Sequence, residues 1–318
     1  MENKVTYIVI ELILLNNMKK GILIFILIST FLSCKKDNII PDNNAPYYGE
    51  IPTLLLENYV NRMYIDLLGR EPLDDEMLED VEFLRERDVT IGSRDTLLYK
   101  LQSDTSYIEG DSSYKIAYYH RLYNMVKVRL IEGASNEYIN SENYNWLFEY
   151  EKDSIAGNMI DANKKLLEYN KLNDIIKSEK QYLNKSITII EMHRRMVYNS
   201  VYDNINMNTF NYINAVFDNL LFRYPTTYEF NECQQMIDEN STQLLMGSSG
   251  NSKYDMSQIV CNSNEFYEGL VNWSYITFLG REANAQERDN LMNDLIINHD
   301  YQKIQRIIMS TDEYAHFN

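Results

Sequence analysis

The sequence predicts an all-α fold, a helical array with three helix–turn–helix repeats and a long-helix middle segment. Three observations carry this reading. One segment recurs three times without a gap. Its apolar residues fall at i, i+3, i+4 and i+7, the stripe of an amphipathic helix. Strand-like alternation is confined to the brief SITII at 186–190. The 318 residues, 45% of them apolar, suffice for one large or two small domains with a buried core. A formal net charge of −17 repels nucleic-acid phosphates and anionic headgroups, so neither is an expected partner of the folded body. The 26 tyrosines fall on apparent helical faces, so they read as AT-rich coding in preference to Tyr-lined binding surfaces.

Residues 1–33 read as an upstream extension plus a signal peptide. Met18-Lys19-Lys20, the apolar run GILIFILISTFL and Ser33 form the basic head, core and small-residue break of an export signal. The run is short for a membrane span, which takes about 20 apolar residues. Residues 1–17 lie ahead of it and read as an over-long start, although YIVIELILL leaves a second hydrophobic element as the alternative. Cys34 directly after Ser33 resembles a bacterial lipoprotein signal, and Lys35-Lys36-Asp37 resembles the export tag of Bacteroidetes-type surface lipoproteins. That resemblance implies lipidation at Cys34, membrane attachment through the lipid and a cell-envelope location on the outer membrane. Residues 34–52 hold three of the five prolines, Pro41, Pro46 and Pro52, and read as a flexible tether.

The repeats occupy 53–110, 206–267 and 268–318. Tyr59–Glu76 (YVNRMYIDLLGREPLDDE), Tyr212–Glu229 (YINAVFDNLLFRYPTTYE) and Leu270–Glu287 (LVNWSYITFLGREANAQE) align on Arg70, Arg223 and Arg281. Asn61, Asn214 and Asn272 coincide, as do Tyr64, Phe217 and Tyr275, and Glu76, Glu229 and Glu287. Repeats of this length mean a stacked supersecondary unit. Val60, Met63, Tyr64 and Leu67 form the buried stripe of the first helix. Gly69 and Gly280 sit where a left-handed cap ends it, while Phe222 in the second copy calls for a different cap. Pro72 and Pro225 stop the preceding helix just before the next one starts. Thr226–Glu229 and Asn284–Glu287 then read as capping boxes, and Leu73 leaves the first box incomplete. Each arginine recurs with its own turn, so it is expected to pair with the Glu or cap helix carbonyls rather than line an anion site.

A second element follows each turn: Ser103–Tyr107, Ser263–Tyr267 and Ser310–Tyr314. Each Ser is expected to N-cap a helix with its aromatic facing inward, and Ser310 with Glu313 to form a further box. The pattern LGR-x-P-x-x-x-E followed by S-x-E-Y is similar to the all-helical domain of phycobilisome linker polypeptides and to related bacterial surface repeats. The residues carrying it are Leu68-Gly69-Arg70, Pro72, Glu76, Leu279-Gly280-Arg281, Glu287, Ser310, Glu313 and Tyr314. The resemblance implies scaffolding and protein contact, and it offers no catalytic residue to transfer.

The middle segment, 111–205, has no proline and few glycines. Tyr114–Leu130 and Ile155–Leu183 read as long amphipathic helices, the second through Leu166, Tyr169, Leu172, Ile176 and Leu183. Gly247-Ser248-Ser249-Gly250 reads as a flexible loop.

Chemistry-bearing motifs are sparse. Cys261 takes the place of Leu101 and Ile308, so it reads as a buried thiol rather than a disulfide partner of Cys233. His120-Arg121 and His193-Arg194-Arg195 read as polar faces neutralising nearby acids, with an anion or carbohydrate site as the alternative. No His pair stands at i, i+4, and Asp74-Asp75-Glu76 lacks the alternating ligands and Gly of a calcium loop, so no metal and no cofactor are expected. The expected function is a membrane-anchored envelope lipoprotein acting as a helical scaffold for another envelope protein. The alternative is a glycan- or nutrient-capture lipoprotein, and after it an envelope hydrolase using two carboxylates brought together by folding.

Overall fold

The computed structural model describes residues 51–108 and 110–317. The signal peptide, Cys34 and the tether up to residue 50 lie outside the described residues. Pro52 precedes α1 (Thr53–Leu68), as suits a residue that fixes φ and needs no amide partner. The first repeat continues through α2 (Asp74–Arg85) and α3 (Ile91–Ser103). The middle segment supplies α4 (Tyr114–Ile131), α5 (Asn136–Ile155), α6 (Met159–Leu183), α7 (Ile189–Val197) and α8 (Ser200–Asn206). The second repeat holds α9 (Thr209–Leu221), α10 (Thr227–Asp238) and α11 (Lys253–Cys261), with strands β1 (Gln243–Leu245) and β2 (Ser248–Gly250) inserted. The last is built from α12 (Asn264–Leu279), α13 (Ala285–Asn298), α14 (Tyr301–Met309) and the single turn α15 (Asp312–Ala315). The fold is an all-α array.

Two helices organise the core. α4 packs against α1, α3, α6, α7 and α8, and buries Tyr118, Leu122, Tyr123 and Val126. α12 is buried nearly all round, from Phe266 to Phe278, because α9, α11, α13, α14 and α15 surround it. Gly269 permits the α9 crossing: a Cβ there would lie 1.9 Å from the Leu220 carbonyl oxygen. The first repeat meets the last twice. α3 packs on α14, and Tyr314 of α15 is buried beside α1 with its hydroxyl donating to Asp66 at 2.8 Å. The α12 helix runs unbroken across the expected 267/268 boundary.

Several expectations need correction. Phe222 adopts the same left-handed cap as the glycines, with φ 57° against 78° at Gly69 and 69° at Gly280. The repeat geometry therefore outweighs the roughly 1–2 kcal/mol that a side chain costs there. The second long helix begins at Met159, because α5 ends at Ile155 and Gly157 turns the chain with φ +77°. α5 itself carried no clear stripe, and only Ile139 and Asn143 of its twenty residues are buried. Residues 186–188 are not a strand, and Thr188 instead N-caps α7. Residues 247–250 belong to a β-hairpin in which Met246 and Gly247 both have positive φ, the mirror-image turn that suits strand twist. One expectation in this region holds: Cys233 and Cys261 are buried free thiols, and burial pushes both up to about 12.

Candidate functional site

The three arginines share no partner, and each is locked into its own turn. Arg70 donates to both carboxylate oxygens of Glu76, at 2.7 and 2.8 Å. Arg223 does so to Glu229 at 2.8 and 2.6 Å, and Arg281 to Glu287 at 2.9 and 2.8 Å. Each glutamate also accepts from the amide that opens the next helix: Leu73, Thr226 and Asn284, all at 2.8 Å. One carboxylate therefore ties the arginine to the second helix's N-terminus. Both full capping boxes form as expected, and Leu73 supplies only the backbone half.

A second carboxylate closes each clamp. Arg70 Nε donates to Asp111 at 2.5 Å, Arg223 Nε to Glu265 at 2.6 Å and Arg281 Nε to Glu313 at 2.6 Å. Glu265 and Glu313 stand at the second residue after their N-caps, Ser263 and Thr311. Thus in the second and third copies the acid of the second element is the partner of the turn arginine, whereas Asp111 of the first copy lies beyond its Ser103–Tyr107 element. Ser310 is a buried C-cap of α14, and Thr311 takes the N-cap role expected of it. Ser103 likewise ends α3, and Tyr107 is 79% exposed because no helix follows in the first copy. Tyr267 and Tyr314 are buried as expected.

The coincident aromatics are platforms. The guanidinium carbons of Arg70, Arg223 and Arg281 lie 5.4, 5.2 and 5.1 Å from the ring centres of Tyr64, Phe217 and Tyr275. Asn272 explains the missing third proline: its side-chain oxygen accepts the Ala283 amide at 3.1 Å, an N–H that Pro72 and Pro225 lack. Foreign arginines cap the same helix ends. Arg121 donates to the Asp66 carbonyl at 3.5 Å, while Arg129 bonds the Asn219 carbonyl and Arg62 that of Phe278. Nothing in the sequence pairs these residues, since 55, 90 and 216 positions separate them.

The charges behave accordingly. The Arg223 bonds, outweighing partial burial, hold Glu229 down to about 2. The Arg281 bonds hold Glu287 and Glu313 below the usual carboxylate range. Burial pushes Glu76 up, and Arg70, the Leu73 amide and Tyr114 together outweigh it, leaving the group low. Acids held ionised in this way offer no proton donor near neutral pH, and their oxygens are occupied by the arginine. This geometry holds helices together.

The basic clusters divide. His120 pairs with Glu179 at 3.2 Å, and Arg194 and Arg195 share Glu191. His193 is not on a polar face. It is fully buried against Phe266 and Trp273, and burial together with the Arg129 charge pushes it down to about 3. Arg129 is itself pushed down to about 10 by burial, 4.8 Å from the Trp273 ring centre. Small clefts remain. One of about 280 Å³ is lined by Tyr119, Tyr182, Tyr301, Asn298, Asp300 and Gln302, among others. Another of about 260 Å³ lies between α6, α7 and Tyr254. Each holds a single carboxylate, so neither presents an acid pair for glycoside chemistry.

A different feature stands away from the repeats. α5 and α6 pair as an antiparallel hairpin, about 30 and 37 Å long at 1.5 Å per residue. Trp146 Nε1 donates to Ser200 at 3.0 Å and marks where α5 still touches the body. Beyond it Phe148, Ile155 and Ile160 are 63, 88 and 75% exposed. Among the described residues no helix is long and apolar enough to cross a membrane. Comparison with protein-family models, with curated proteins and with solved structures found no match.

Proposed function

We propose that this chain is a lipid-anchored cell-envelope protein whose helical repeats act as an interaction scaffold for another envelope protein. One observation supports the reading: each of the three recurring arginines is closed by two carboxylates of its own, the glutamate of its turn and an acid 32–42 positions further on, and no two arginines share a pocket. The exposed apolar hairpin supports it, since a monomer gains nothing by leaving such residues in water. The lipid anchor at Cys34 and the outer-membrane location complete the proposal on the sequence signal. In cells producing the full chain, a Cys34→Ala variant should leave the membrane fraction. Crosslinking in intact envelopes followed by affinity purification should return a defined protein partner, and repeated failure to do so counts against the scaffold.

The cleft formed by Tyr119, Tyr182 and Tyr301 with Asn298, Asp300 and Gln302 favours a second reading, glycan capture. Aromatic edges with convergent amide and carboxylate groups suit sugar hydroxyls. A glycan array that returns no binder removes this reading.

A further inference from the structure

We propose that the outer stripe of α5, Tyr144, Phe148 and Ile155, docks into an apolar groove rimmed by Lys or Arg on another envelope protein. The inference rests on the scaffold reading and names the surface and the chemistry of its partner. Tyr144, Phe148 and Ile155 follow at i, i+4 and i+11, which places them on one helical face. They are 76, 63 and 88% exposed, while α5 turns Ile139 and Asn143 inward. Anchors at such spacing are how an amphipathic helix enters a groove.

Charge selects the occupant. α5 carries Glu137, Glu142, Glu149, Glu151 and Asp153 against Lys152 alone, five acids and one base. Glu149 pairs with Lys152 and Asp153 with Lys165, while Glu137, Glu142 and Glu151 have no ion pair among the described residues. An anionic bilayer is repelled by that rim. A second copy meets the same difficulty where stripe faces stripe, since α5 against α5 opposes acid to acid. A basic rim around an apolar groove satisfies both the stripe and the unpaired acids.

The test places a photo-reactive benzoylphenylalanine at Phe148, at Ile155 and, as a control, at the exposed Tyr107 of the full chain in its own cells. Light should attach the same protein at 148 and 155 and nothing at 107. With that protein purified, the double variant Glu137→Lys, Glu151→Lys should weaken binding at least 10-fold. Raising salt from 50 to 500 mM should weaken the unaltered pair similarly. Adducts that are a second copy or lipid, or an affinity indifferent to charge reversal, overturn the proposal. A protein adduct at 107 alone also overturns it but leaves the scaffold standing, whereas no protein adduct at any position removes both.

Discussion

The turns at Arg70 and at Gly157 both join consecutive helices, yet they are built on opposite principles. At the first, every strong donor and acceptor has a partner: Arg70 holds Glu76 and Asp111, and Tyr114 adds a bond to Glu76 at 2.8 Å. At the second, a glycine with nothing within 4 Å of a would-be Cβ joins α5 to α6, and Ile155, Met159 and Ile160 around it face solvent. Beside Arg70 the apolar stripe of α1 is enclosed, from Val60 to Leu67, whereas the apolar residues around Gly157 stay in water. Stability belongs to the first region, and the proposed recognition to the second.

The largest test of that division compares two glycines. Gly269→Ala should destabilise by about 3–5 kcal/mol in chemical denaturation, because its Cβ would meet the Leu220 carbonyl and force α9 from α12. Gly157→Ala has free space and suffers only the left-handed conformation, about 1–2 kcal/mol. Equal losses would show that the α9–α12 crossing does not limit stability.

The clamps come next, graded by burial. Arg70 and Glu76 side chains are 23 and 10% exposed, whereas Arg281 and Glu287 are 37 and 25% exposed. Arg70→Met strands two shielded acids and should lower stability by about 2–3 kcal/mol. Arg281→Met, better solvated, should lower it by about 1 kcal/mol or less. A reversed order would mean that burial does not set the strength of the clamp.

A subtler effect is pH dependence. Glu229 lies at about 2 in the folded chain against an ordinary 4.5. Its clamp therefore contributes fully above pH 4.5 and fades as pH falls toward 2. Thermal melts of Glu229→Gln across that window should be flatter than those of the unaltered protein. The smallest effect belongs to the hairpin. Phe148→Ser and Ile155→Ser should move unfolding stability by no more than about 0.5 kcal/mol, since neither packs on the body. A loss above 2 kcal/mol in either would merge the two regions.

Legibility followed the range of each interaction. The stripe Val60, Met63, Tyr64, Leu67, the glycine caps, both capping boxes and the Arg–Glu pairs lie within one turn motif, where residue type and spacing suffice. Asp111 and Glu265 pair with arginines 41 and 42 positions earlier; the recurrence of an acid in the second element hinted at Glu265, while Asp111 lies outside that element and nothing in the sequence marked it. α5 was missed because its stripe faces outward, so its polar and apolar residues do not sort as a core helix would. His193 looked like part of a charged face because Arg194 and Arg195 follow it. A helix turns 100° per residue, and that rotation sends His193 to the core while its neighbours reach Glu191.

The order of residues alone settled that this chain is helical, where three of its helices stop and restart, and that each arginine serves its own turn. These are local matters of backbone preference and short-range hydrogen bonding. Tertiary structure decided that α12 would be enclosed nearly all round, that Arg121, Arg129 and Arg62 would cap helix ends far from them in sequence, and that α6 would pack on the body while the outer face of α5 stays exposed. Such outcomes depend on which helices compete for the same surface, and that competition exists only once the chain has folded back on itself.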